Sequence, residues 1–190
     1  SSNARQIVES FPQDAKLIFG PDRNLGGYIN SITGRNMLLW DGACHVHSQF
    51  SVEALIDLKK QYPDAAVLAH PECKGVILKL ADVVGSTAAL LSYAQKSDKQ
   101  QFIVVTESGI LHEMQKSCPN KEFIPAPPET VEGGATCSCN ECNYMRLNTL
   151  EKVYNCLRYE YPQIEVDADI AAKAIKPIER MLQLSEKLVK

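Results

Sequence analysis

Short β-prone runs alternate with helical stretches along this chain, and that alternation is the strongest constraint on how it folds. Apolar runs of strand length lie at 17–20, 37–40, 65–69 and 83–84, while helical spacing fills 3–10, 24–32, 51–61 and the stretch from His70 to about Leu80. Strand, helix and strand in succession build a parallel sheet with helices over both faces. The same order begins again at Ser86. At an offset of 85 residues Ser1 falls on Ser86, Ser2 on Thr87, Leu17-Ile18 on Phe102-Ile103 and Asp22 on Glu107; after an insertion the offset is 99, with Leu58 on Leu157 and Tyr62-Pro63 on Tyr161-Pro162. The chain is therefore expected to form two pseudo-symmetric three-layer αβα domains with short parallel sheets, 1–84 and 85–190. The second would carry a cysteine-containing loop at 125–142 and a helix after about Pro177.

Composition narrows the function classes. At 190 residues, with 45% hydrophobic and 23% charged side chains, the chain can bury one good core or two small ones. A net charge of −3 and a pI near 5.8 argue against a nucleic-acid partner. No apolar run reaches the roughly 20 residues of a membrane span, and the opening stretch lacks a basic-then-apolar signal. Seven unevenly spaced cysteines suit thiol or metal chemistry in a reducing compartment better than a disulfide scaffold.

The chemistry gathers around WDGACHVH, Trp40 to His47. An apolar run ends there in small and turn-prone residues, followed by a thiol and two imidazoles, at the place where open α/β sheets often keep their sites. Cys142 holds the corresponding station in the second repeat, so Cys44 and Cys142 are expected to face a shared axis. Soft thiolates so placed suit zinc or an iron–sulfur cluster. A cubane held by three thiolates would leave one iron open as a Lewis acid, with the third thiolate supplied from upstream of Ser1. The hydroxyl pairs Ser1-Ser2 and Ser86-Thr87 precede helices and either cap them or bind an anionic group. In the motif His70-Pro71-Glu72-Cys73, imidazole and carboxylate either share a pocket as hydrogen-bond donor and general base or simply open a helix.

These segments carry a resemblance. WDGACHVH, HPEC with the later ADVVGST, CNECNYM with the NTL after it, and PDRNLGGYI together resemble quinolinate synthase, the iron–sulfur enzyme of de novo NAD biosynthesis, over essentially the whole chain. The resemblance implies three homologous αβα domains about a pseudo-threefold axis, of which this chain would supply the second and third. It implies a 4Fe–4S cluster with Cys44 and Cys142 as ligands, and Cys73, Cys118 and Cys156 as non-ligands. The implied reaction condenses iminosuccinate (iminoaspartate) with dihydroxyacetone phosphate, losing two waters and phosphate. His70 and Glu72 would be catalytic, with Glu72 the proton acceptor; Ser1, Pro71, Ser86, Thr87 and His45 would line the substrate pocket. A cytoplasmic location is implied, or a plastid one in a photosynthetic eukaryote, with L-aspartate oxidase or dehydrogenase as the upstream enzyme.

The sequence departs from the family in two respects. The first domain, with its cysteine and a YxN substrate segment, is expected to come from a missing N-terminal domain or another chain, so the 190 residues alone should be inactive or nearly so. The last motif reads CxCxxC at Cys137, Cys139 and Cys142 where many relatives read CxxCxxC, which leaves the role of Cys137 open. Two rival readings are a zinc or redox-thiol module built on those three cysteines and a different 4Fe–4S dehydratase.

Overall fold

In the computed structural model, residues 1–129 and 140–188 are described, with side chains through residue 186. Cys137 and Cys139 lie outside the described residues, as does most of the expected 125–142 loop. The fold is α/β with short, wholly parallel sheets, as the alternation requires.

The central sheet has strands β3 (Ala66–Ala69), β4 (Val83–Val84), β5 (Gln101–Val105) and β6 (Glu122–Pro125) in the order β4-β3-β5-β6. Its two inner strands are buried on both faces, which is why they read as unbroken apolar runs and not as alternating ones. Period-two geometry splits their side chains between two cores. Val67, Ala69, Ile103 and Val105 face α3 (Val52–Gln61) and α4 (Gly75–Leu78), packing on Leu55 and Ile77. Ala66, Leu68, Phe102 and Val104 face α5 (Thr87–Lys96) and α6 (Ile110–Ser117), packing on Leu90, Ala94 and Met114. Helices on both sides of the sheet make the three layers. Strands from either side of Gly85 thus share one sheet.

Chain direction across this sheet reverses between β3 and β5, because the path from β3 goes outward to β4 and then returns past β3 to β5. Such a switch opens a crevice beyond the carboxyl ends of the two strands. His70 follows β3 and Thr106 follows β5, so both sit at its floor.

A smaller sheet pairs β1 (Ile18–Phe19) with β2 (Leu38–Leu39). Between them runs α2 (Arg23–Thr33), started by the Asp22 carboxylate accepting the Leu25 amide at 2.7 Å and stopped by Gly34 in the left-handed conformation, φ 67°. The helix expected from His70 to Leu80 is only one turn long, Gly75–Leu78. His70 to Cys73 form a turn instead, with the Cys73 amide on the His70 carbonyl.

The chain divides into two compact units. One comprises Ser1–Ser2 with Gln13–Glu141 and holds both sheets; the other comprises Asn3–Pro12 with Cys142–Lys190. In the second, α1 (Ala4–Glu9) packs with α8 (Ala168–Leu188), burying Val8 and Leu184 and joining Asn3 to the Ser185 hydroxyl at 3.0 Å. Helix α7 (Leu150–Tyr159) belongs to the same unit and starts at a Thr149 cap. Pro177, expected to precede the last helix, lies inside α8. It removes one backbone donor, and the helix continues through it.

Candidate functional site

The Cys44 loop is held from below by one carboxylate. Asp22, buried at the start of α2, uses Oδ1 for the Leu25 amide and Oδ2 for the Cys44 amide, each at 2.7 Å. The Arg23 amide binds the Gly42 carbonyl at 2.8 Å, clamping the same loop to the helix. Gly42 is required by close approach: a Cβ there would collide with the Pro21 carbonyl. Past Cys44 the chain turns, the Ser48 amide reaching back to the Cys44 carbonyl. This turn carries the His47 side chain inward on the same side as Cys44.

His47 is the hub of the site. It is buried, with Nδ1 3.1 Å from Glu72 Oε2 and Nε2 2.9 Å from the Thr106 hydroxyl. Its ring stacks on His70 with centroids 4.5 Å apart. One donor atom from each of Cys44, His47 and Glu72 lies within 4.8 Å of the other two. A cavity of about 320 Å³ opens beside them, lined by Pro21, Asp22, Trp40, Gly42, Ala43, Cys44 and Glu72. Glu72 reaches the cluster because Pro71 is buried at the turn and Asn24 of α2 donates to the Glu72 carbonyl at 3.0 Å.

The two histidines differ in charge, their pKa values being shifted in opposite directions. Burial works to strip the proton from His47, but hydrogen bonds to Cys44 and Glu72, and the charges of those groups, overcome it and raise its pKa to about 9. The same contact lowers the Cys44 thiol against the cost of burial, favouring thiolate. It also keeps the Glu72 carboxyl below its usual range, again against burial. Burial and then the His47 charge push His70 the other way, down to about 4. His70 is therefore neutral; its Nδ1 accepts the Glu72 amide at 3.4 Å, which leaves the proton on Nε2, 3.2 Å from the Ser1 hydroxyl. An ionised carboxylate, an imidazolium, a thiol whose pKa is lowered and a neutral imidazole donor thus meet in one crevice.

The residues singled out from the sequence fall into three groups. Cys44, His70, Pro71, Glu72 and Ser1 converge as described. Ser86 caps α5 by accepting the Ala89 amide at 3.3 Å and Thr87 is its exposed first residue; both stand at the carboxyl end of β4, in the row of strand ends that includes His70. His45 is half-buried, its carbonyl accepting from Ser48, while Cys142 is half-buried at the start of the second unit. Among the other thiols, Cys73 is fully buried with its pKa pushed up to about 12 by burial, Cys118 is buried and Cys156 is exposed.

The sequence placed both imidazoles of WDGACHVH at the site but gave a role to His45 and none to His47, and it did not single out Thr106, Asp22 or Asn24 as site residues. For His47 a signal was present: it follows Cys44 by three residues, the spacing that puts two side chains on one face of a turn. Thr106 had none, because its partner is 59 residues away.

The family description "Quinolinate synthetase A protein" matches residues 1–183. The chain belongs to this family. Curated relatives named quinolinate synthase include one from Chloroherpeton thalassium, 57% identical over 98% of this chain, and one from Thermosynechococcus vestitus, 55% identical over 97%. A third, from a Synechococcus strain, is 51% identical over 97%. The chain spans 56% of the first relative's length and 57% of the other two. Cys44, His47 and Glu72 are three groups of a kind that could hold a metal ion, and among the described residues no helix is long and apolar enough to cross a membrane.

Proposed function

We propose that this chain contributes to a quinolinate synthase, which joins iminosuccinate to dihydroxyacetone phosphate and releases two waters and phosphate. The observation that carries this reading is the Cys44 sulfur, its pKa lowered by His47, set beside His47 and Glu72 at an open cavity. A soft, half-buried thiolate in such a cavity fits one corner of a 4Fe–4S cluster, and Cys142 is the second ligand in this reading. When bound, that group supplies an iron with an open position, a Lewis acid toward a carboxylate or hydroxyl oxygen.

The chain's own residues do the rest. His70 Nε2–H donates toward Ser1 and, in this reading, to a substrate carboxylate or carbonyl oxygen that takes the place of that contact. Glu72 turns Oε2 to His47 and offers Oε1 as the oxygen that accepts a substrate proton. The His47 imidazolium keeps Glu72 ionised between turnovers and its Nε2–H is fixed by Thr106. Ser86 and Thr87, at the end of β4, hold a phosphate or carboxylate group at the start of α5. His45, next to Cys44 in the chain, is a substrate-pocket residue in this reading. A further αβα domain, on an N-terminal segment or a separate chain, completes the cluster, and an L-aspartate oxidase or dehydrogenase supplies the iminosuccinate.

The test combines this chain, reconstituted anaerobically with iron and sulfide, with the N-terminal portion of the Chloroherpeton thalassium relative. Quinolinate is expected from the mixture and little or none from the chain alone, and Glu72→Gln should lower the rate at least about 100-fold. No product from a mixture in which the intact relative is active under the same conditions would contradict the reading.

A further inference from the structure

We propose that Cys44, His47 and Glu72 also form a mononuclear site for a borderline divalent cation, best matched by Zn²⁺, whenever Cys44 is not committed to a cluster. This goes beyond the preceding reading and does not depend on it. The three donors are one sulfur, one nitrogen and one oxygen, within 4.8 Å of one another. That mixture suits zinc and its neighbours in the first transition row and disfavours magnesium or calcium, which take oxygen ligands. Bonds of about 2.0–2.3 Å place tetrahedral zinc ligands roughly 3.3–3.8 Å apart, so closure by about one ångström brings the set to bonding distance. Glu72 Oε2 already stands 3.1 Å from His47 Nδ1.

The surroundings of the three donors also resemble a metal site. A ligating histidine normally donates its second ring N–H to a fixed acceptor, which sets the tautomer and aims the ring. Here His47 Nε2 meets the hydroxyl of Thr106, itself 2% exposed, at 2.9 Å, so Nδ1 is the nitrogen left to face Glu72. The ring is held from its face by His70 at 4.5 Å. The cavity of about 320 Å³ against Cys44 and Glu72 leaves room for a fourth ligand, a water or a substrate oxygen. Thiolate and carboxylate flanking one imidazole suit a dication, whose binding displaces the His47 Nδ1 proton, and any proton on the Cys44 sulfur, to solvent. Zinc on this site and a cluster on Cys44 exclude one another, since both require the same sulfur.

The site is tested by titrating metal-free chain with Co²⁺ and Zn²⁺, with no iron, sulfide or substrate present. Cys137→Ser, Cys139→Ser and Cys142→Ser together make the host, so that no other clustered thiols contribute. The expected result is one equivalent of Co²⁺ with a thiolate-to-cobalt charge-transfer band, displaced by Zn²⁺. Cys44→Ser, His47→Gln and Glu72→Gln should each abolish the band or weaken binding at least about 100-fold. Thr106→Val should weaken it about 10- to 100-fold and Thr106→Ser restore it. Circular dichroism and thermal unfolding show which variants are folded, and the folded ones decide. A host that binds no Co²⁺, or folded Cys44→Ser and His47→Gln variants that bind as the host does, would overturn the proposal. Since no cluster or substrate enters the assay, failure of the synthase reading and failure of this site give different results.

Discussion

Two stacked imidazoles, one charged and one neutral, make the site sensitive to pH at the level of single residues. His70 titrates at about 4 in the fold against 6.5 for an ordinary histidine. Between those values the unfolded chain takes up a proton that the folded one refuses, so stability falls as pH drops from about 6.5 to about 4. The lost contribution is on the order of 3 kcal/mol, and the lowered Glu72 carboxyl adds to it below its ordinary value. His47 acts in the other direction. Its contribution is fully present below 6.5 and is lost as pH rises through about 9. Urea unfolding across the acid range should show the decline, and His70→Gln should flatten it; an unchanged acid slope in that variant would mean His70 is not held neutral. At this scale the sequence was informative about types and not about partners. HPEC declared an imidazole and a carboxylate two residues apart, yet Glu72 takes its shorter contact from His47, 25 residues earlier in the chain.

At the scale of elements, the site depends on strand ends and on the clamps that fix the loops leaving them. Asp22 serves two elements at once, capping α2 and holding the Cys44 amide, so the loop is as rigid as the helix start. Gly42 lets that loop lie against the Pro21 carbonyl. Gly42→Ala should cost about 1–3 kcal/mol, because the atom met is backbone and cannot swing aside, and should displace Cys44. Thermal unfolding measures the first effect and the reactivity of Cys44 toward a thiol reagent the second; wild-type values for both would show that the loop has room to spare. Apolar runs and the repeat offset located β1 to β5 near their observed places, since a buried parallel strand needs little else, but β6, an edge strand that is only partly buried, was missed. They overstated β1 and β2, whose ladder is two residues long. Repeat offsets preserved element order but not sheet membership: β3 and β4 precede Gly85 and pair with β5, which follows it. Parallel pairing joins strands distant in sequence, and periodicity carries no record of which ones.

At the scale of the whole molecule, each unit leaves apolar side chains in water. In the first, Ile18, Leu38 and Trp40 on the two-stranded sheet are largely exposed. In the second, Leu150, Val153, Tyr154 and Leu157 form an exposed stripe on α7 at helical spacing. Surfaces of this kind mark association sites. Light scattering of the purified chain should show mass rising with concentration, and Leu150→Glu with Leu157→Glu should reduce it. A monomer at all concentrations would mean that water covers these faces at no cost. Because the chain spans 56% of the length of its Chloroherpeton thalassium relative, the surface expected to be covered and the surface found exposed are best compared in that longer protein.

The central claim is that Cys44 is a cluster ligand and the buried thiols are not. It is tested most directly by measuring iron and acid-labile sulfide in anaerobically reconstituted protein, in wild type and in Cys44→Ala, Cys142→Ala and Cys73→Ala, with the N-terminal portion of the Chloroherpeton thalassium relative present in every sample. Cys44→Ala and Cys142→Ala should lose the bound iron and sulfide, while Cys73→Ala keeps them. Full iron and sulfide in Cys44→Ala would contradict the account.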